Sequence, residues 1–118
     1  MANVPFTIPN LYGCLAECHG LLRGEGPALV LEFQVQDNIF GWLRGRPKTI
    51  RVPLADLESI ALRKRWMSGA DLVITAKSLT SVASVPGSRQ GRIQVRIKKD
   101  DLAAAEQFVA AAYETSVG

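Results

Sequence analysis

The apolar period of this chain changes once, and that change limits what it can fold into. In short segments between Leu29 and Lys98, separated by turns, apolar side chains recur at every second position; beyond Asp100 they recur every three or four. Period two gives a strand with one buried and one wetter face, whereas a period near 3.6 gives a helix stripe. Leu29, Leu31, Phe33 and Val35 alternate with Val30, Glu32, Gln34 and Gln36. Ile50, Val52 and Leu54 alternate with Thr49, Arg51 and Pro53, and Pro53, with no N–H to donate, marks a strand end or an edge. Leu72, Ile74 and Ala76 line one face of residues 71–77. Ile93, Val95 and Ile97 face inward over 92–98, with Arg92, Gln94, Arg96 and Lys98 outward. Weaker strand candidates are 15–22, 57–64 and 79–85. Leu11, Leu15, Cys18 and Leu22 also stand at helical spacing, against which Gly13 and Gly20 argue.

Turn chemistry falls between these segments, at Gly24-Glu25-Gly26-Pro27, Gly45-Arg46-Pro47, Ser68-Gly69-Ala70-Asp71 and Pro86-Gly87-Ser88. After Asp100 and Asp101, which suit a helix N-terminus, Leu102, Ala105, Val109 and Ala112 form a stripe flanked by Phe108 and Tyr113. The expectation is a mainly β (α+β) domain of about seven antiparallel strands closed by one C-terminal helix. Residues 1–13, with Pro5, Pro9 and Gly13, read as an irregular lead-in, and 14–116 as a single domain.

Composition excludes several classes. At 118 residues the chain is too short for two ordinary domains, and at 47% hydrophobic it is too apolar for a disordered tail. No apolar run approaches the ~20 residues of a membrane-spanning helix. A net charge of +3 is too mild to name a partner. Two cysteines do not make a disulfide framework, and the first fifteen residues lack the basic start of a secretory signal, so a cytoplasmic chain with free thiols is expected.

This order of elements resembles the pleckstrin-homology (PH-like) fold, and small standalone bacterial PH-like proteins in particular. The resemblance covers roughly residues 12–115 and rests on the order and length of elements. It implies two nearly orthogonal sheets forming a partly open barrel, with the helix plugging one end. Many eukaryotic members keep a Trp in the last helix, where this chain has Phe108 and Tyr113. Their phosphoinositide sites use several Lys and Arg around the first hairpin; the corresponding turn here, taken as 22–28, offers only Arg23, beside Glu25.

Cys14-Leu15-Ala16-Glu17-Cys18-His19 is the most suggestive short motif. Structural zinc takes four ligands, and these two Cys and one His are the only ones in the chain. On a strand the two sulfurs lie ~13 Å apart, too far for one ion. Buried or semi-buried thiols are therefore expected, with no metal and no cofactor. His19 is the only His, Asp56 and Glu58 read as solvent-facing, and no phosphate loop, nucleophile elbow or metalloprotease motif is present. The chain is not expected to be an enzyme.

Basic residues gather in two stretches. Arg44, Arg46, Lys48, Arg51, Arg63, Lys64 and Arg65 stand against Asp56 and Glu58, and Arg89, Arg92, Arg96, Lys98 and Lys99 stand with no acid between them. Should the stretches meet, they form a surface for an anion, an anionic membrane or an acidic protein; kept apart, they are solvated faces that hold sheet edges apart. Trp42 and Trp66 are candidate interface aromatics. Two aromatics are too few for a single-strand nucleic-acid surface, so nucleic acid is not expected as a partner. The functional expectation is a non-enzymatic module acting through contact with a protein partner or with itself as a homo-oligomer. Peripheral binding to an anionic membrane surface is the alternative.

Overall fold

The structure, a computed structural model, describes residues 3–11, 16–37, 43–65 and 69–117, without the side chains at 10, 37, 43–46 and 113–117. Seven strands precede one helix: β1 Val4–Leu11, β2 Ala16–Glu25, β3 Ala28–Asp37, β4 Leu43–Pro53, β5 Leu57–Arg65, β6 Gly69–Ala76 and β7 Arg92–Ile97, then α1 Leu102–Val117. All strand pairs are antiparallel, in the order β4-β3-β2-β1-β7-β6-β5. The sheet does not close, so β4 and β5 are its two edges. This is the mainly β architecture with a C-terminal helix that the period change predicts, and it is consistent with a PH-like α+β fold.

The strand membership differs from the sequence reading at two places. The stretch 1–13 is not an irregular lead-in, because Val4–Leu11 is a strand in the middle of the sheet. Val4, Phe6 and Ile8 are buried and alternate with Pro5, Thr7 and Pro9, so period two is present but masked by the prolines. Conversely, 79–85 is a run of turns in the β6–β7 connection, although Val82 and Val85 are buried. Residues 15–22 resolve in favour of strand from Ala16 onward. One consequence is that the turn after Arg23 belongs to the second hairpin, β2–β3. The first hairpin joins β1 to β2 through residues 12–15, Tyr-Gly-Cys-Leu, which carry no basic residue either.

Prolines in a central strand need an explanation, since they cannot donate to a ladder. Pro5 pairs in register with Leu21 of β2, within a continuous run from Val4 to Ile8. In an antiparallel ladder alternate residues turn their N–H and C=O to the same neighbour. The bonds to β2 must therefore come from Val4, Phe6 and Ile8. Pro5, Thr7 and Pro9 turn the other way, towards β7. There the flanking prolines have nothing to donate, and Thr7↔Arg96 is the one pair between β1 and β7. The sheet is thus pinned at a single point along this seam.

One apolar cluster joins the strands to the helix. It includes Leu22, Leu31, Phe33, Val52, Ile60, Leu72, Ile74, Ile93, Val95 and Ile97, with Ala105, Phe108 and Ala112 from α1. Phe108 is fully buried, so it is the centre of the helix face and not its flank; Leu102 and Val109 are only half-buried. Burying a side chain of this size contributes roughly 1.5–3 kcal/mol. Asp100 and Asp101 lie in a 3-10 turn, Lys99–Asp101, entered from Lys98 without a side-chain cap.

Gly20 has a packing role. It pairs with Phe6 on one side and Phe33 on the other. A Cβ at this position would run into the Glu32 carbonyl oxygen and the ring of Phe6. The aromatic ring occupies the space a side chain would take, which is how aromatic neighbours support a strand glycine.

Candidate functional site

The two basic stretches come together only in part: Arg65 and Arg96 both approach Asp71, at 3.5 Å and 3.9 Å, while the β4 cations lie at the opposite edge. Arg44, Arg46, Lys48 and Arg51 belong to β4, one edge; Arg63, Lys64 and Arg65 belong to β5, the other edge. Arg92 and Arg96 lie on β7, with Lys98 just after it, two places from β5 and separated from β4 by three strands. The side chains of Arg44 and Arg46, and the whole of Trp42 and Trp66, lie outside the described residues.

Several of these cations are already engaged. Arg51 Nη1 donates to Glu25 Oε2 at 2.9 Å. Glu25 also lies 3.8 Å from Arg23, which bonds Glu32. Val30 sits between Arg23 and Arg51 in register and is fully buried, although its strand parity turns it outward. This charged group closes over an apolar residue and is a structural element of the β2–β3–β4 half. Lys64 pairs with Glu106 of α1 at 3.0 Å, and Arg65 lies 3.5 Å from both carboxylate oxygens of Asp71. Lys48, Arg63, Arg92 and Lys98 are exposed and carry no ion pair among the described residues.

The Cys18–His19 pair is divided by the sheet. Cys18 is fully buried in the core, and burial pushes its thiol pKa up to about 11. His19, the next residue, faces outward, its Nε2 3.0 Å from Glu17 Oε1. Successive strand residues point to opposite faces, so the sulfur and the imidazole do not converge on one ion. Cys14 lies outside the described residues. Asp56 is half-buried, not solvent-facing. Its Oδ1 accepts the Ser78 N–H at 3.1 Å, its other oxygen accepts from the Ser81 hydroxyl, and its backbone carbonyl accepts the Lys77 N–H at 2.7 Å.

Two concave features among the described residues border these charged groups. The first is an open groove of about 460 Å³ between edge strand β5 and α1, lined by Ile60, Ala61, Leu62, Lys64, Glu106, Val109 and Ala110. Its floor is apolar, and the Lys64–Glu106 ion pair lies in its wall. At its far end β5 finishes in three exposed cations, Arg63, Lys64 and Arg65. The second is a cleft of about 320 Å³ at the β1–β7 seam. The basic residues were legible from sequence. The groove was not, because it depends on which strand becomes an edge and where the helix lies. Its nearest sequence correlate is Val109, an apolar stripe residue that lines the groove and stays half-buried.

Compared with known proteins, the chain matches no family model, no curated protein and no solved structure. No helix among the described residues is long and apolar enough to cross a membrane.

Proposed function

We propose that the chain is a non-enzymatic PH-like interaction module that binds an extended, acidic segment of a protein partner along β5. The observation that carries this reading is the groove between the β5 edge and α1. An edge strand turns N–H and C=O groups outward that an added strand can pair; Ile60 of β5 is already engaged, so the added strand would run along β5 from Ala61 onward. The two edges are not equivalent. β4 contains Pro47 and Pro53, which interrupt pairing, whereas β5 contains no proline. Ala61, Leu62, Val109 and Ala110 offer apolar contact for alternate side chains of the added strand, and Arg63, exposed and without an ion pair among the described residues, favours a carboxylate at one end.

Binding to an anionic membrane has less support. Arg51, Lys64 and Arg65 are held in ion pairs, and the remaining cations are spread over both edges and β7.

The test is titration with a short synthetic peptide alternating valine and glutamate, followed by backbone amide shifts. Saturable shifts on β5 and α1, with β4 unmoved, support the reading; shifts on β4, or none, count against it. Light scattering on the same samples distinguishes the remaining occupant. A dimer that Ala61→Lys dissolves makes the bound strand a second copy of the chain.

A further inference from the structure

The cleft at the β1–β7 seam is lined by Pro5, Phe6, Thr7, His19, Gly20, Arg96, Lys98 and Asp101. We infer that this cleft binds a small phosphomonoester, with Arg96, Lys98 and His19 meeting its phosphate and Asp101 accepting a hydrogen bond from a neighbouring hydroxyl.

The cleft follows from the sequence of β1. Thr7 pairs with Arg96, and Pro5 cannot extend the ladder past that point. The strands part there, and the outward row opens. A second, smaller opening of about 190 Å³ lies on the other side of the same pair, beside Pro9. Arg96 borders both. The first opening is at the small end of ligand-site volumes, about 300–1,000 Å³.

Basic side chains outnumber carboxylates in the lining itself, with Glu17, 3.0 Å from His19, and Asp71, 3.9 Å from Arg96, standing behind them. Thr7 and His19 are adjacent in register, and Arg96 lies beyond Thr7, so a hydroxyl, an imidazole and a guanidinium stand side by side across three strands. Lys98 adds a second permanent cation, and Asp101 is the only carboxylate in the lining. Among the described residues, Arg96 is held only by a long ion pair to Asp71, its partner in register on β6. Its buried Nε has no hydrogen-bond partner, and its nearest carboxylate, Asp71, is 3.9 Å away and shared with Arg65. The Nε lies on the Asp71 side, away from this cleft, so an oxyanion here would meet the terminal guanidinium nitrogens of the partly exposed side chain through charge-assisted bonds. Two permanent cations suit a phosphate dianion better than a neutral ligand. Asp101 disfavours a bare anion and favours one carrying a donor next to the phosphate.

Such a phosphomonoester is found as a free metabolite or as the headgroup of phosphatidic acid. The experiment titrates glycerol 3-phosphate into the full chain, reading backbone amide shifts, with a parallel sedimentation arm using phosphatidic acid vesicles. Expected are saturable shifts at Thr7, His19 and Arg96, weaker for glycerol alone. Arg96→Gln should weaken binding by about tenfold. Lys98→Ala, at an exposed residue, should weaken it with the melting temperature unchanged, so the test survives if Arg96→Gln fails to fold. Arg92→Ala, on the same strand but outside the cleft, should bind as the parent does. Binding to vesicles alone, with the same dependence on Arg96 and Lys98, assigns the phosphate to the headgroup. The inference is overturned by no saturable shift in either arm, or by equal weakening in Arg92→Ala and Lys98→Ala.

Discussion

Asp56 Oδ1 accepts the backbone N–H of Ser78 at 3.1 Å, joining the turn between β4 and β5 to the connection between β6 and β7. Ser81 bonds the second oxygen of the same carboxylate. One side chain thus anchors a fifteen-residue connection, 77–91, that has turns and a single bridge but no strand of its own.

Asp56→Ala removes both bonds and leaves a partly buried amide without an acceptor. The expected loss is about 2 kcal/mol by urea unfolding, with Asp56→Asn losing less because its carbonyl still serves Ser78. Trypsin cleavage after Lys77 and Arg89 should quicken in Asp56→Ala. An unchanged cleavage rate would show that Val82 and Val85 alone hold the connection.

Gly20→Ala should destabilise by at least about 2 kcal/mol, because overpacking in a fixed backbone is not absorbed by side-chain motion. The double variant Phe6→Leu/Gly20→Ala separates the two obstacles. It clears the ring but leaves the Glu32 carbonyl in the way, so no rescue of stability is expected. Recovery on thermal denaturation would place the obstacle in the ring alone.

Cys18 gives a pH dependence with a definite sign. Its thiol titrates near 9.0 when unfolded and at about 11 when folded, because burial disfavours the thiolate. Below about pH 9 both states hold the proton and the group contributes no slope. Between about 9 and 11 only the unfolded chain releases it, so stability falls as pH rises. The measurement is the melting temperature from pH 8 to 11 in the parent and in Cys18→Ala. The alanine variant should start lower, from the cavity it creates, and fall less steeply; parallel curves would contradict the assignment.

The turn into β7 is strained at one residue. Gln90 and Gly91 both have positive φ, 51° and 78°, between Arg89 and Arg92, which exchange two backbone hydrogen bonds of 2.9 Å. Asn-Gly suits such a turn best. Gln90→Asn should therefore stabilise by about 0.5 kcal/mol, read as a higher melting temperature. A lower one would mean that the glutamine side chain supports the turn.

These tests also mark what the sequence made legible. Alternation located the strands at Leu31, Val52, Ile74 and Val95, and the period change located the helix. β1 was hidden because Pro5 and Pro9 are read as breakers, although both turn their missing N–H towards a seam that needs few bonds. Val82 and Val85 imitate a strand because a buried connection needs apolar anchors as much as a strand does. The candidate surfaces were legible only as charges. Which cations are neutralised depends on partners distant in sequence, such as Glu25 for Arg51 and Glu106 for Lys64. The groove and the cleft come from a sheet edge and a single-pair seam, which are properties of strand order and not of composition.

On the proposed reading, the edge of β5, beside α1, receives an acidic extended segment. The most direct test of that reading is selection of random displayed peptides on the parent chain and on Ala61→Lys, whose ammonium would occupy the groove floor. Expected are enriched peptides that alternate apolar residues with Asp or Glu, that weaken as salt rises, and that do not bind Ala61→Lys. Enrichment of basic peptides, equal binding to the variant, or no enrichment would contradict it.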